Sequence, residues 1–99
     1  MFILELTYTA PLDRVEALLA DHVAWLERNY AAGVLLASGR KVPRDGGVIV
    51  AAGDDRAAIE RLAADDPFSR AGIAEYRITE FIPTMTAPEL AGHRRTLPS

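Results

Sequence analysis

A chain of 99 residues, 49% hydrophobic and 25% charged, is one globular domain with room for a single core. Its net charge of -3 argues against nucleic acid as a main partner, because phosphate binding needs a basic face and the one basic cluster is His93-Arg94-Arg95. The absence of cysteine excludes disulfides, thiolate nucleophiles and Cys-based metal sites, and no apolar run approaches the roughly 20 residues that span a bilayer.

Met1-Phe2-Ile3-Leu4-Glu5 reads as the start of a strand and lacks the features of a signal peptide, so a cytoplasmic protein is expected. Phe2 to Tyr8 alternate, with Phe2, Leu4, Leu6 and Tyr8 on one face and Ile3, Glu5 and Thr7 on the other. After the turn Ala10-Pro11-Leu12, Asp13 and Glu16 have capping-box spacing. A helix is predicted from about 14 to 32, with Gly33 as its C-terminal cap.

Val15, Leu18, Leu19, Trp25 and Leu26 fall on one arc of that helix at about 100° per residue. His22 stands in the middle of the arc, where an aliphatic residue would pack best. A polar ring buried there without a partner costs roughly 1–3 kcal/mol, so the fold must supply one.

Residues 34–40 form a second predicted strand, Lys41 to Gly47 a hairpin loop with Asp45-Gly46-Gly47 as turn chemistry, and 48–52 a third strand, apolar on both faces. A second helix is expected over about 55–64, ended by Asp66-Pro67, since proline turns the preceding residue out of helical geometry. Residues 68–72 read as a connector and 74–82 as the fourth strand, closed by Pro83. The tail, 83–99, is expected either to be disordered or to extend over a partner subunit.

Strand, helix, strand, strand, helix, strand implies an α+β domain of ferredoxin-like βαββαβ type, an antiparallel sheet with both helices on one face. Val34-Leu35-Leu36 and Val48-Ile49-Val50 leave apolar side chains on the other face too. A second copy is the simplest cover, giving a homodimer, a dimeric α+β barrel.

The candidate chemistry is His22 with Asp66, because a carboxylate beside an imidazole orients it and favours its protonated form. A core histidine satisfied for structural reasons explains the same residues. Ser38, at the end of the second strand, completes a formal Ser-His-Asp set, but no nucleophile-elbow motif surrounds it; a pocket hydrogen-bond donor or a plain strand-end serine are the other readings. Arg40 is a candidate anion holder or a solvated strand-end charge, Trp25 and Phe68 candidate cavity walls or core, and Tyr8 and Tyr76 candidate hydroxyls in a cleft or core residues. His22 and His93 are far apart, and Asp54-Asp55 and Asp65-Asp66 are explained by helix ends, so no metal site is expected. Nothing matches a phosphate-loop or dinucleotide fingerprint, and no cofactor is expected.

Asp21-His22-Val23-Ala24-Trp25-Leu26, Gly33-Val34-Leu35-Leu36-Ala37-Ser38-Gly39, Asp66-Pro67-Phe68, Tyr76-Arg77-Ile78 and Phe81 together resemble the YciI-like (YCII-related domain) family. The resemblance covers about residues 1–82. It implies a ferredoxin-like protomer in a dimeric α+β barrel, related in fold to muconolactone isomerase, with a site on a His-Asp pair mapping onto His22 and Asp66. The family is similar to at least one dehydrochlorinase of chlorinated hydroxyquinols. Ser38-Gly39-Arg40-Lys41 departs from its pattern, in which glycine often runs into proline.

The function expected is a small cofactor-free enzyme of lyase, isomerase or dehydrochlorinase-like type, with His22 moving a proton on a small, aromatic or lactone-type molecule. The alternatives are a non-catalytic small-molecule-binding or accessory protein, and an oxygen-dependent monooxygenase.

Overall fold

The computed structural model describes residues 1–98; Ser99, the last residue of the expected tail, lies outside the described residues. Four antiparallel strands form one sheet: β1 (Phe2–Tyr8), β2 (Leu35–Arg40), β3 (Gly46–Ala51) and β4 (Ala74–Glu80). Their spatial order, β2-β3-β1-β4, places β1 and β3 in the centre. The helices are α1 (Leu12–Ala31), α2 (Arg56–Asp65) and the single turn α3 (Pro67–Arg70). This is the ferredoxin-like βαββαβ plan, in which the first strand is central, paired with β3 on one side and β4 on the other.

The alternation of β1 decides which face is covered. Phe2, Leu4 and Leu6 are buried, while Glu5 and Thr7 are exposed. Val15 and Trp25 of α1, Ile59 and Ala63 of α2, and Phe68 of α3 close on the buried side with Leu35, Ile49 and Ala51. Burial of a Leu, Ile, Phe or Val side chain contributes about 1.5–3 kcal/mol, and this cluster carries most of the fold's driving force. Ile3 on β1, Val48 and Val50 on β3 and Arg77 on β4 lie on the face turned away from the helices.

Three local features differ from the sequence expectation. Helix α1 begins two residues earlier than a capping box at Asp13 would allow: Pro11 stands at its N-cap with no side-chain cap, and Asp13 lies inside the first turn, where its charge meets the positive helix end. Its other end is as expected, with Gly33 at φ +76° and Val34 N–H donating to the Asn29 carbonyl. The connector after Pro67 is itself one helical turn, capped by Asp66, whose carboxylate accepts from Phe68 N–H. Gly46 and Gly47 are strand rather than turn. They pair with Thr7 and Leu6, and a Cβ on Gly46 would stand 1.8 Å from the Leu6 carbonyl oxygen. The close approach of two backbones is what this glycine permits.

Beyond β4, Pro88–His93 form a short 3-10 helix, and Met85 and Leu97 are exposed. Among the described residues no helix is long and apolar enough to cross a membrane.

Candidate active site

His22 is carried by the buried stripe of α1 and Asp66 by the junction between α2 and α3. The two meet across 44 positions of chain, His22 Nδ1 lying 2.8 Å from Asp66 Oδ1. Asp66 is wholly buried and His22 only 8% exposed. The geometry at residue 66 follows from Pro67: ψ of Asp66 is 129°, which ends α2 and aims the carboxylate at the start of α3 and toward α1.

Three donors converge on that carboxylate. Oδ1 accepts from His22 Nδ1–H and, at 3.0 Å, from Phe68 N–H; Oδ2 accepts from the Tyr76 hydroxyl at 2.5 Å. An acceptor-only partner on Nδ1 assigns the proton to that nitrogen and leaves Nε2 as the free lone pair. The Tyr76 phenol is pushed up, first by burial and then by the adjacent Asp66 charge and hydrogen bond, so it remains an O–H donor. The imidazole is held by aromatic faces as well, parallel to Phe68 at 4.1 Å between centroids and stacked with Trp25 at 5.5 Å.

His22 lines a hollow of about 270 Å³ between α1 and the β2–β3 side of the sheet. Leu6, Leu19, Val23, Leu26 and Ile49 supply apolar wall; Tyr8, His22, Ser38 and Arg40 are its polar side chains, and no carboxylate of the described residues lines it. Gly47 sits on the helix-facing side, opposite Leu6 and Arg40, and its missing side chain contributes the floor space. Arg44 donates to Glu16 Oε1 at 2.6 Å and ties the β2–β3 loop to α1.

Of the residues singled out in the sequence, His22, Ser38 and Arg40 therefore share the hollow, and Asp66 stands behind His22. Trp25 and Phe68 are core residues, about 1% exposed, that flank the imidazole without lining the hollow. Ser38 Oγ bonds the Tyr30 hydroxyl at 2.6 Å and not His22, so no Ser-His-Asp chain is assembled. Gly47 was not among the residues the sequence suggested; of the two tyrosines it offered to a cleft, Tyr8 lines the hollow and Tyr76 turns its hydroxyl to Asp66. Alternation alone places Tyr76 on the helix-facing side of β4, and nothing in the pattern says where its hydroxyl goes.

A second hollow of about 270 Å³ lies at the opposite end of the sheet, between the tail and the start of β1, lined by Met1, Asp54, Glu80, His93 and Arg95 among others. No buried unpaired polar atom faces it from these residues. Among the described residues no three His, Asp or Glu side chains converge as a metal-binding group.

The fold is similar to that of 5-chloro-2-hydroxyhydroquinone dehydrochlorinase (TftG) from Burkholderia phenoliruptrix AC1100, solved in complex with 2,5-dihydroxybenzoquinone. The TM-score is 0.68 at 18% sequence identity, covering 82% of this chain and 93% of that one. No curated protein matches the chain. The model of the YCII-related domain matches residues 1–82, the whole sheet-and-helix body that holds the His22–Asp66 pair, and the chain belongs to the YCII-related domain family.

Proposed function

We propose that the protein is a small enzyme that moves a proton on a single-ring acidic metabolite, with His22 Nε2 as the base and Asp66 as the group that orients and polarises it. The observation that carries this reading is the combination at His22. One nitrogen is committed to a buried carboxylate, and the residue lines a hollow. A histidine needed only for packing gains nothing from a hollow beside it.

The hollow suits one ring, since its volume is at the small end of ligand sites. Arg40 is the one cation on its wall, and its guanidinium has no side-chain partner among the described residues, so an anionic oxygen is the group it would hold. Ser38 with Tyr30 offers hydroxyls beside it. Once Nε2 has taken a proton from an acidic C–H or O–H, the electron pair has two exits. It moves into a conjugated system and the proton returns elsewhere, which is isomerisation, or it expels an anion such as chloride from the neighbouring atom, which is elimination. TftG, a dehydrochlorinase of the same fold, is the precedent for the second.

We further propose that a second copy covers the outer sheet face through Ile3, Val48 and Val50, giving a homodimer.

The test is turnover of chlorinated and unchlorinated hydroxyquinols and of small lactones, followed by chloride release and by ring absorbance. His22→Ala and Asp66→Asn should each lower turnover by at least about a hundredfold with the fold intact. Arg40→Gln should raise KM more than it lowers kcat. Binding without turnover in the wild type, unaffected by His22→Ala, would leave a non-catalytic binding module instead.

A further inference from the structure

Asp66 has no contact with solvent, so its negative charge must be spread entirely over the donors around it. Two of those donors share Oδ1, the imidazole and the Phe68 amide. Oδ2 has one, the Tyr76 hydroxyl, at a distance typical of an O–H donating to an ionised oxygen. Tyr76 reaches it from β4, where it pairs with Leu6 and faces the helices.

We propose that Tyr76 is a positioning residue for His22. Its hydroxyl occupies Oδ2 and draws charge from the carboxylate, and this sets how strongly Asp66 holds the imidazole proton. The two hydrogen bonds compete for the same charge. A stronger donor on Oδ2 weakens the pull of Oδ1 on Nδ1–H, and a missing donor strengthens it.

The other groups around His22 do not mask this effect. Asp21, its neighbour on α1, is exposed. Across the hollow from β1 and β2 stand Tyr8, Ser38 and Arg40, none of which bonds Asp66. From α1 and α3 the imidazole is stacked with the rings of Trp25 and Phe68, neither of which titrates. The Tyr76 phenol itself stays protonated, since burial and the Asp66 charge both push it up.

The experiment is NMR of the full chain labelled with 15N-histidine. In Y76F the His22 Nδ1–H proton resonance should move downfield. Replacing Tyr76 by ortho-fluorotyrosine, which keeps ring and hydroxyl but makes a stronger donor, should move that resonance the other way. On an Asp66→Asn background the Y76F shift should vanish.

Opposite signs from the two replacements are the outcome a merely structural tyrosine does not give. Unchanged resonances in folded Y76F, or shifts of the same sign in both proteins, overturn the proposal. If Y76F does not fold, the fluorotyrosine protein decides alone. The proposal rests on the His22 reading for its bearing on turnover, but these spectra need no substrate. A failure here leaves the proposed reaction standing, and inactivity in the substrate screen leaves this coupling standing.

Discussion

Replacing Asp66 in two ways separates what it does for the fold from what it does for His22. Alanine removes the acceptor of three hydrogen bonds at a side chain with no solvent contact. The Phe68 amide and the His22 Nδ1–H are then orphaned, while the half-buried Tyr76 hydroxyl can turn toward water. At about 1–3 kcal/mol per buried donor left unpaired, Asp66→Ala should cost about 3–5 kcal/mol, a large part of the roughly 5–15 kcal/mol of a whole domain. Asparagine keeps the shape. Its oxygen can accept from Phe68 N–H and His22 Nδ1–H, and its amide can donate to the Tyr76 oxygen, so every group stays paired and only the charge assistance is lost. That should cost about 1–2 kcal/mol. Urea unfolding at one fixed protein concentration measures both, as a lower midpoint with unchanged slope. Turnover, by contrast, should fall as far in Asp66→Asn as in any folded variant of the pair. If the two variants are equally unstable, the carboxylate's charge is a structural necessity and the enzymatic argument from the pair fails. If Asp66→Ala costs less than about 1 kcal/mol, the three hydrogen bonds do not carry the weight given to them.

Gly46→Ala should destabilise by about 2 kcal/mol or more, because its methyl would meet the Leu6 carbonyl at 1.8 Å, whereas Gly39→Ala, with open space around the added carbon, should stay within about 0.5 kcal/mol; thermal unfolding checks the contrast. Val50→Lys, on the outer sheet face opposite Ile3, should convert the proposed dimer to a folded monomer in light-scattering chromatography, and an unchanged mass would place the interface elsewhere. The raised phenol of Tyr76 predicts an alkaline limit. The folded state keeps a proton that the unfolded chain releases near pH 10, so the stabilisation is complete below about pH 10 and is lost as pH rises beyond it. Phenolate absorbance should therefore show one of the three tyrosines ionising only with unfolding, and Y76F should abolish that step.

The parts of this site that were legible in the sequence are those where a residue breaks a local rule. His22 interrupts an otherwise apolar arc, and Asp66 is pinned outside a helix by Pro67; each is a one-dimensional signal with a physical reason behind it. Their meeting followed from placing both helices on one sheet face. What escaped the sequence depends on approach in three dimensions. Asp45-Gly46-Gly47 has the chemistry of a turn, and only the crossing Leu6 backbone makes Gly46 and Gly47 a strand. Tyr76 is one more helix-facing residue until α3 brings Asp66 to its hydroxyl. The turn α3 itself, four residues long, is shorter than any periodicity can register. Trp25 and Phe68 suggest a cavity wall by their size, but they hold the imidazole from the core side.

The Phe68 amide donates to the same oxygen that orients His22, and it is the first backbone N–H of α3 to do so. Its exchange with deuterium is therefore governed by the event that releases the imidazole. Slowed exchange at this one position on addition of a small molecule would report ligand capture at the hollow, and faster exchange would report a loosened dyad. The protein thus carries its own built-in sensor of ligand capture, readable without turnover.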